Sequence, residues 1–238
     1  MTDRFPAIFA ELSALDRGAL VWFLVAWGGY TLVADHLLDR PLGLNQHMKR
    51  VREQWFRRMI EHPERLLDAN LVGHVIHSVS FFISTTMIVL AGLIGLLGAF
   101  KQAYQVAMGL AFVAETSPAL FELKLLLLIA IFIYGFLRFT WAIRQLNYAC
   151  AMIGAAPWPP VEEAVKARYA RQIAQVLTLG MVSFNGGLRA YYFALAALGW
   201  LVHPWLFVLL TTVMLLVLLR RQLYSRTYRA IRELTGEP

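Results

Sequence analysis

Apolar positions run almost unbroken over five stretches, about 18 to 38, 72 to 99, 122 to 148, 177 to 201 and 204 to 222, with polar residues gathered between them. Crossing a hydrocarbon layer of roughly 30 Å takes roughly 20 apolar helical residues. The pattern therefore predicts an all-α integral membrane bundle of about five transmembrane helices, one domain over 1–238. The fifth stretch is the shortest, since roughly 16 residues separate Pro204 from Arg220, and snorkelling of Arg220 and Arg221 has to extend it.

Between the first two stretches the period changes. In 45–61, Met48, Val51, Trp55, Phe56, Met59 and Ile60 recur at helical spacing, while Lys49, Arg50, Arg52, Arg57 and Arg58 take most of the remaining circumference. This is the pattern of a basic amphipathic helix lying on anionic lipid headgroups, ended by Pro63. The competing reading has these arginines collect an anionic ligand or dock a partner. Ser117-Pro118 predicts a capped helix start. Pro159-Pro160 before Glu162 and Glu163 predicts another start, of a helix that runs on into the fourth span. Residues 100–117 read as an interfacial or re-entrant piece.

Composition agrees with a bilayer: 59% of residues are hydrophobic and 16% charged, with a mean hydropathy of +0.57. The net charge of +7 belongs to loops and not to a nucleic-acid partner. Arg40, Lys49, Arg50, Arg52, Arg57, Arg58 and Arg65 fall in one segment, Lys166, Arg168 and Arg171 in a second, and Arg220, Arg221, Arg226, Arg229 and Arg232 in the tail. With five spans all three lie on one side, which predicts a plasma (inner) membrane protein with its N-terminus outside and C-terminus cytoplasmic. The one cysteine, Cys150, leaves no intrachain disulfide and no CxxC motif.

The candidate chemistry lies within the spans. At 1.5 Å of rise per residue, Ser84 and Thr85, Arg138, and Asn185 and Arg189 reach similar depths near mid-membrane. Asn185, Arg189 and Tyr192 share a face of span four; Tyr134, Arg138, Trp141 and Gln145 share one of span three, where the ring of Tyr134 or Trp141 is placed to stack on the guanidinium. Neither span contains an acid near these arginines. Buried arginines either donate to backbone, hydroxyls and aromatic faces and lock the bundle, or take their acceptor from a small anion such as chloride or a carboxylate.

A second polar layer nearer the cytoplasm holds Asp35, His36, His74, His77 and Arg144, with an Asp35–Arg144 ion pair as its natural arrangement. His74 and His77 lack a third ligand at motif spacing, so neither a metal nor haem or another cofactor is expected. Small residues at Ser80, Ser84, Ala91, Gly95 and Ala99 in span two and at Gly186, Ala190 and Ala194 in span four allow close helix approach, in the monomer or in a homo-oligomer. Asn185-Gly186-Gly187 marks a point where span four is expected to loosen. The Gly-Phe-Leu-Arg of 135–138 beside the Gly-Gly-Leu-Arg of 186–189 hints at an inverted repeat, on four positions that chance also supplies.

Ser78 to Thr86, Asn185-Gly186-Gly187-Leu188-Arg189-Ala190-Tyr191-Tyr192-Phe193, and the basic stretch from Gly43-Leu44-Asn45 to Trp55 together resemble the domain-of-unknown-function 599 family of small multi-span membrane proteins. The resemblance covers about 20 to 225. It implies a helical membrane protein and brings no activity, substrate or cofactor.

No nucleophile with a base, catalytic carboxylate pair or phosphate loop stands out, so an enzyme is not expected. The sequence reads as a small oligomeric channel or transporter with an arginine-containing midplane site for an anion. The alternative is a lipid-associated or structural and assembly protein without transport activity.

Overall fold

The computed structural model describes residues 12–38, 44–62, 64–223 and 230–231. All of their regular structure is helical: α1 (Ala14–Leu38), α2 (Leu44–Glu61), α3 (Leu66–Gly98), α4 (Phe100–Met108), α5 (Pro118–Gly154), α6 (Glu163–Val202) and α7 (Pro204–Leu223). Four of them, α1, α3, α5 and α7, are long and apolar enough to cross a membrane. The expected fourth span lies inside α6, a single helix of 40 residues. Asn185, Arg189, Tyr191 and Tyr192 hold its hydropathy below that of the other four.

The helix ends follow local chemistry. Ser13 caps α1: the Asp16 amide donates to Ser13 Oγ at 3.0 Å, and the Ser13 hydroxyl donates in turn to Asp16 Oδ2 at 2.5 Å. Ser117 caps α5 as the Ser-Pro pair predicts, accepting from the Leu120 amide at 3.2 Å. His203 Nδ1 accepts from the Trp205 amide at 3.2 Å at the start of α7. Residues 100–108 form the short helix α4, which buries no side chain.

The chain divides into two compact units, each assembled from three stretches of sequence. The first comprises Met1–Val33, Thr85–Phe136 and Leu188–Leu219. Its α1 face buries Ala19, Phe23, Ala26 and Tyr30, three or four residues apart, and leaves Val21, Leu24, Val25 and Leu32 exposed. An exposed apolar face is the stable one where lipid is the solvent, and packing then rests on van der Waals fit. Aromatic rings supply much of that fit: Phe23 meets Phe207 at 4.9 Å and Phe193 at 5.8 Å, and Phe207 stacks on Trp200 at 5.1 Å. Such pairs contribute about 0.5–1.5 kcal/mol each beyond area burial. Phe100 and Tyr104 of α4 lie against Phe121, and the Tyr104 hydroxyl donates to the Thr116 carbonyl at 2.7 Å.

The second unit comprises Ala34–Ser84, Leu137–Gly187 and Arg220–Pro238. Here α2 turns its apolar face inward, with Phe56, Met59 and Ile60 at 0–2% exposure. Its charged edge is tied to α6: Arg57 pairs with Glu163 at 3.3 Å and Lys166 with Glu61 at 2.6 Å. At the turn into α3, Trp55 Nε1 donates to Asp68 at 2.5 Å. Arg65 donates to the carbonyls of Ala156 and Pro157 at 2.7 and 2.6 Å, and its guanidinium lies 4.3 Å from the Trp158 ring centroid. The apolar stripe read as a leaflet anchor is thus a protein contact.

Candidate functional site

Two adjacent glycines organise the surroundings of Arg138. A Cβ on Gly186 would lie 2.4–2.7 Å from Nε, Nη2 and Cζ of Arg138, and one on Gly187 would lie 2.3–2.7 Å from the Phe139 ring. The guanidinium and the phenyl ring therefore rest on bare backbone of α6. Helix α6 stays continuous there, so the expected loosening at Asn185-Gly186-Gly187 is corrected: with no Cβ to clear, the glycines admit neighbours without breaking the helix. Phe139, fully buried, stacks on Phe82 at 5.5 Å and meets Phe184 at 5.7 Å. Above Gly180, Leu146 closes to 3.1 Å of where a Cβ would be.

The polar partners of Arg138 are few. Nη2 donates to the Val182 carbonyl at 3.4 Å, and the buried Nε has no hydrogen-bond acceptor. Among the described residues Arg138 forms no ion pair. Asn185, on the same turn of α6, is exposed and its amide makes no hydrogen bond among the described residues. Two residues nearer the N-terminus of α6, Ser183 donates to Gln145 Oε1 at 3.1 Å. Trp141, expected as one of two rings over Arg138, lies with Arg144 instead; the other, Tyr134, meets Trp27 edge-on at 5.3 Å.

Arg189 belongs to the first unit and is 7% exposed. Near it in sequence, Tyr191 shares a 2.8 Å hydrogen bond with Thr86, whose side chain is fully buried, and its ring meets Phe132 edge-on. Ser84 is exposed, and Thr85 and Tyr192 are half-buried. The buried positions of α3, Val72, Val79, Thr86 and Leu90, are spaced seven, seven and four, a period that points to Thr86 and would have identified it ahead of Thr85.

The first unit also buries a cluster that sequence reasoning did not single out. Lys124 is 2% exposed, Asp16 5% and Trp200 0%. Trp200 Nε1 donates to Asp16 Oδ1 at 2.8 Å, Lys124 Nζ donates to Thr116 Oγ1 at 3.2 Å, and the ammonium lies 5.8 Å from the Trp200 ring centroid. Asp16 is close enough to act on the charge of Lys124. The Ser13–Asp16 capping pair was the available signal.

The basic residues of α2 split. Arg50 and Arg58 are exposed, and Lys49 and Arg57 half-buried. Arg52, expected among the headgroup ligands, is turned inward and donates to Thr178 at 2.9 Å. Its burial lowers its pKa to about 10, so it remains a cation at neutral pH.

Of the polar layer expected on the cytoplasmic side, the side chains of Asp35 and His36 lie outside the described residues, and so does any Asp35–Arg144 pair. His74 and His77 are exposed, and among the described residues no three His, Cys, Asp or Glu side chains converge as metal ligands would. Arg144 is exposed and donates through Nε to the Tyr148 hydroxyl at 2.8 Å.

The family described as "Protein of unknown function, DUF599" matches residues 18–227. No curated protein and no solved structure matches the chain.

Proposed function

We propose that this chain, which belongs to the DUF599 family over most of its length, is a multi-pass membrane protein that binds a small anion at Arg138. It sits in the plasma membrane, with its N-terminus outside and the basic segments in the cytoplasm, and its role is binding or passage of the anion, not catalysis. The observation that carries this reading is the imbalance at Arg138 among the described residues: one hydrogen bond of 3.4 Å, a buried Nε without an acceptor, and no ion pair. Placing an arginine at the centre of a membrane helix costs about 2.5–3.5 kcal/mol on insertion scales. A single hydrogen bond contributes about 0.5–1.5 kcal/mol, and one this long less. The remainder calls for an acceptor that the described residues do not provide. Chloride or a small carboxylate meets the need, and Asn185 offers an amide donor on the same turn of α6. Open space beside Gly92, Gly95 and Gly98 of α3 suits self-association, by which a small bundle could enclose a path.

The test is thermal unfolding of the purified protein in chloride, nitrate or acetate against gluconate at constant ionic strength. A ligand at 100 times its Kd stabilises by about 2.7 kcal/mol. Wild type should rise with the small anion, Arg138→Gln should lose the rise and Arg138→Lys keep part of it. A wild type indifferent to the anion, or an unchanged rise in Arg138→Gln, rejects the site. Flux into proteoliposomes then separates a transporter from a binding protein.

A second reading rests on the fit of Arg138 and Phe139 against Gly186 and Gly187, which also describes a structural lock. In that case Arg138→Gln lowers the melting temperature equally in every anion.

A further inference from the structure

Arg144 is the exposed cation of α5, and its neighbours on that helix are aromatic. Trp141 lies three residues before it and Tyr148 four after, so all three share one face. The guanidinium carbon is 5.8 Å from each ring centroid, within the roughly 6 Å range of a cation–π contact. Nε is engaged by the Tyr148 hydroxyl at 2.8 Å, which fixes the plane of the group. The four N–H bonds on its two Nη groups make no hydrogen bond, and Arg144 pairs with no acid, among the described residues. Trp141 is 51% exposed and Tyr148 50%; Leu137, one turn beyond Trp141, is 59% exposed.

An exposed arginine on a span does not rest in hydrocarbon, so the Arg144 guanidinium snorkels from α5 to headgroup depth. Trp and Tyr are enriched at that level because each ring has one apolar and one polar end. A planar guanidinium held by its Nε edge presents the fork that takes two oxygens of a phosphate. We propose that Arg144, clasped by Trp141 and Tyr148, is a binding site for the phosphate of an anionic lipid headgroup. The exposed Leu137 and the Trp141 ring extend the site toward the hydrocarbon and give an acyl chain a surface that a free ion would not use. The site is independent of the anion at Arg138.

The test uses the full chain in mixed micelles, with lipids that remain bound counted by native mass spectrometry during titration with phosphatidylglycerol or phosphatidylcholine. One basic residue near the surface is worth about 1 kcal/mol of anionic-lipid attraction, about fivefold in affinity. Wild type should prefer phosphatidylglycerol by that factor or more, Arg144→Gln should lose the preference, and Arg144→Lys should keep part of it. Tyr148→Phe leaves the charge and the ring while freeing Nε, and should reduce the preference by less than Arg144→Gln. It keeps the comparison informative should Arg144→Gln fold poorly. Arg138→Gln should leave the preference intact. An undiminished preference in Arg144→Gln overturns the site, and competition by millimolar inorganic phosphate would show a soluble ion, not a lipid, as its ligand.

Discussion

Lys124 and Arg138 are both cations of α5, and they are housed in opposite ways. Lys124 is buried with a hydroxyl that accepts its hydrogen bond, an indole beneath it and an aspartate acting on its charge, and that aspartate is itself held by Trp200 and Ser13. Arg138 has glycine backbone beneath its guanidinium and one distant carbonyl. A cation that serves architecture is surrounded by acceptors within its own chain, because an unmet buried charge costs several kcal/mol. A cation left short of acceptors marks a place where something else completes the set. The contrast supports a structural role for Lys124 and is the ground on which binding is proposed at Arg138.

The largest expected effect comes from breaking the satisfied cluster. Asp16→Ala removes the acceptor of Trp200 Nε1 and the charge near Lys124 in one step, and loses about 3 kcal/mol of stability. Asp16→Asn keeps a carbonyl oxygen for the indole and loses less. Detergent-solubilised protein melted by circular dichroism resolves the two, and the anion response at Arg138 should survive in both. An Asp16→Ala protein that melts like wild type would remove the basis for calling this cluster structural.

Next come the two glycines, which separate packing from binding on adjacent residues. Gly187→Ala drives a methyl into the ring of Phe139, which is fully buried and has nowhere to go. Overpacking of that kind costs about 1–3 kcal/mol. Gly186→Ala meets the far end of a flexible side chain, so Arg138 yields and the stability loss stays under about 1 kcal/mol. The anion-dependent rise in melting temperature should nevertheless shrink in Gly186→Ala and persist in Gly187→Ala. Equal anion responses in the two variants would contradict the placement of the site.

Much of this arrangement was legible from periodicity and composition, because in a bilayer both report directly on the solvent. The helical class, the amphipathic α2, the Ser117 cap and the long α6 all follow from local pattern. What pattern could not supply was the partner of each face. The amphipathic pattern of α2 is the same whether its apolar side meets acyl chains or Phe56, Met59 and Ile60 pack against protein, and pattern alone puts Arg52 among lipid ligands. A Gly-Gly pair reads equally as a weak point or as a seat, and only the position of the Arg138 and Phe139 side chains decides. Thr86 and Tyr191, rather than their neighbours Thr85 and Tyr192, make the hydroxyl contact across helices. A one-residue step on a helix turns a side chain by about 100°, and the midplane estimate fixed depth without fixing that angle.

The smallest expected effect lies where charges are exposed. Lys166 holds Glu61 at 2.6 Å and Glu163 at 2.5 Å. The nearby ammonium lowers the Glu61 pKa from its ordinary 4.5, and the two carboxylates raise that of Lys166 from its ordinary 10.5. A lowered acid contributes stability above its ordinary value and loses it as pH falls through the folded value; a raised base contributes below its ordinary value and loses it as pH climbs through its own. The pair therefore supports the docking of α2 on α6 between about pH 4.5 and 10.5 and fades on both sides. Both groups face solvent, so salt screens them. Lys166→Met should melt slightly below wild type at pH 7 in low salt, and that gap should close on acidification below the carboxylate range and also in about 0.5 M salt. A gap constant with pH would assign the effect to packing of the lysine stem. α2 would then be held by its buried apolar face and, to α6, by the Arg52–Thr178 contact.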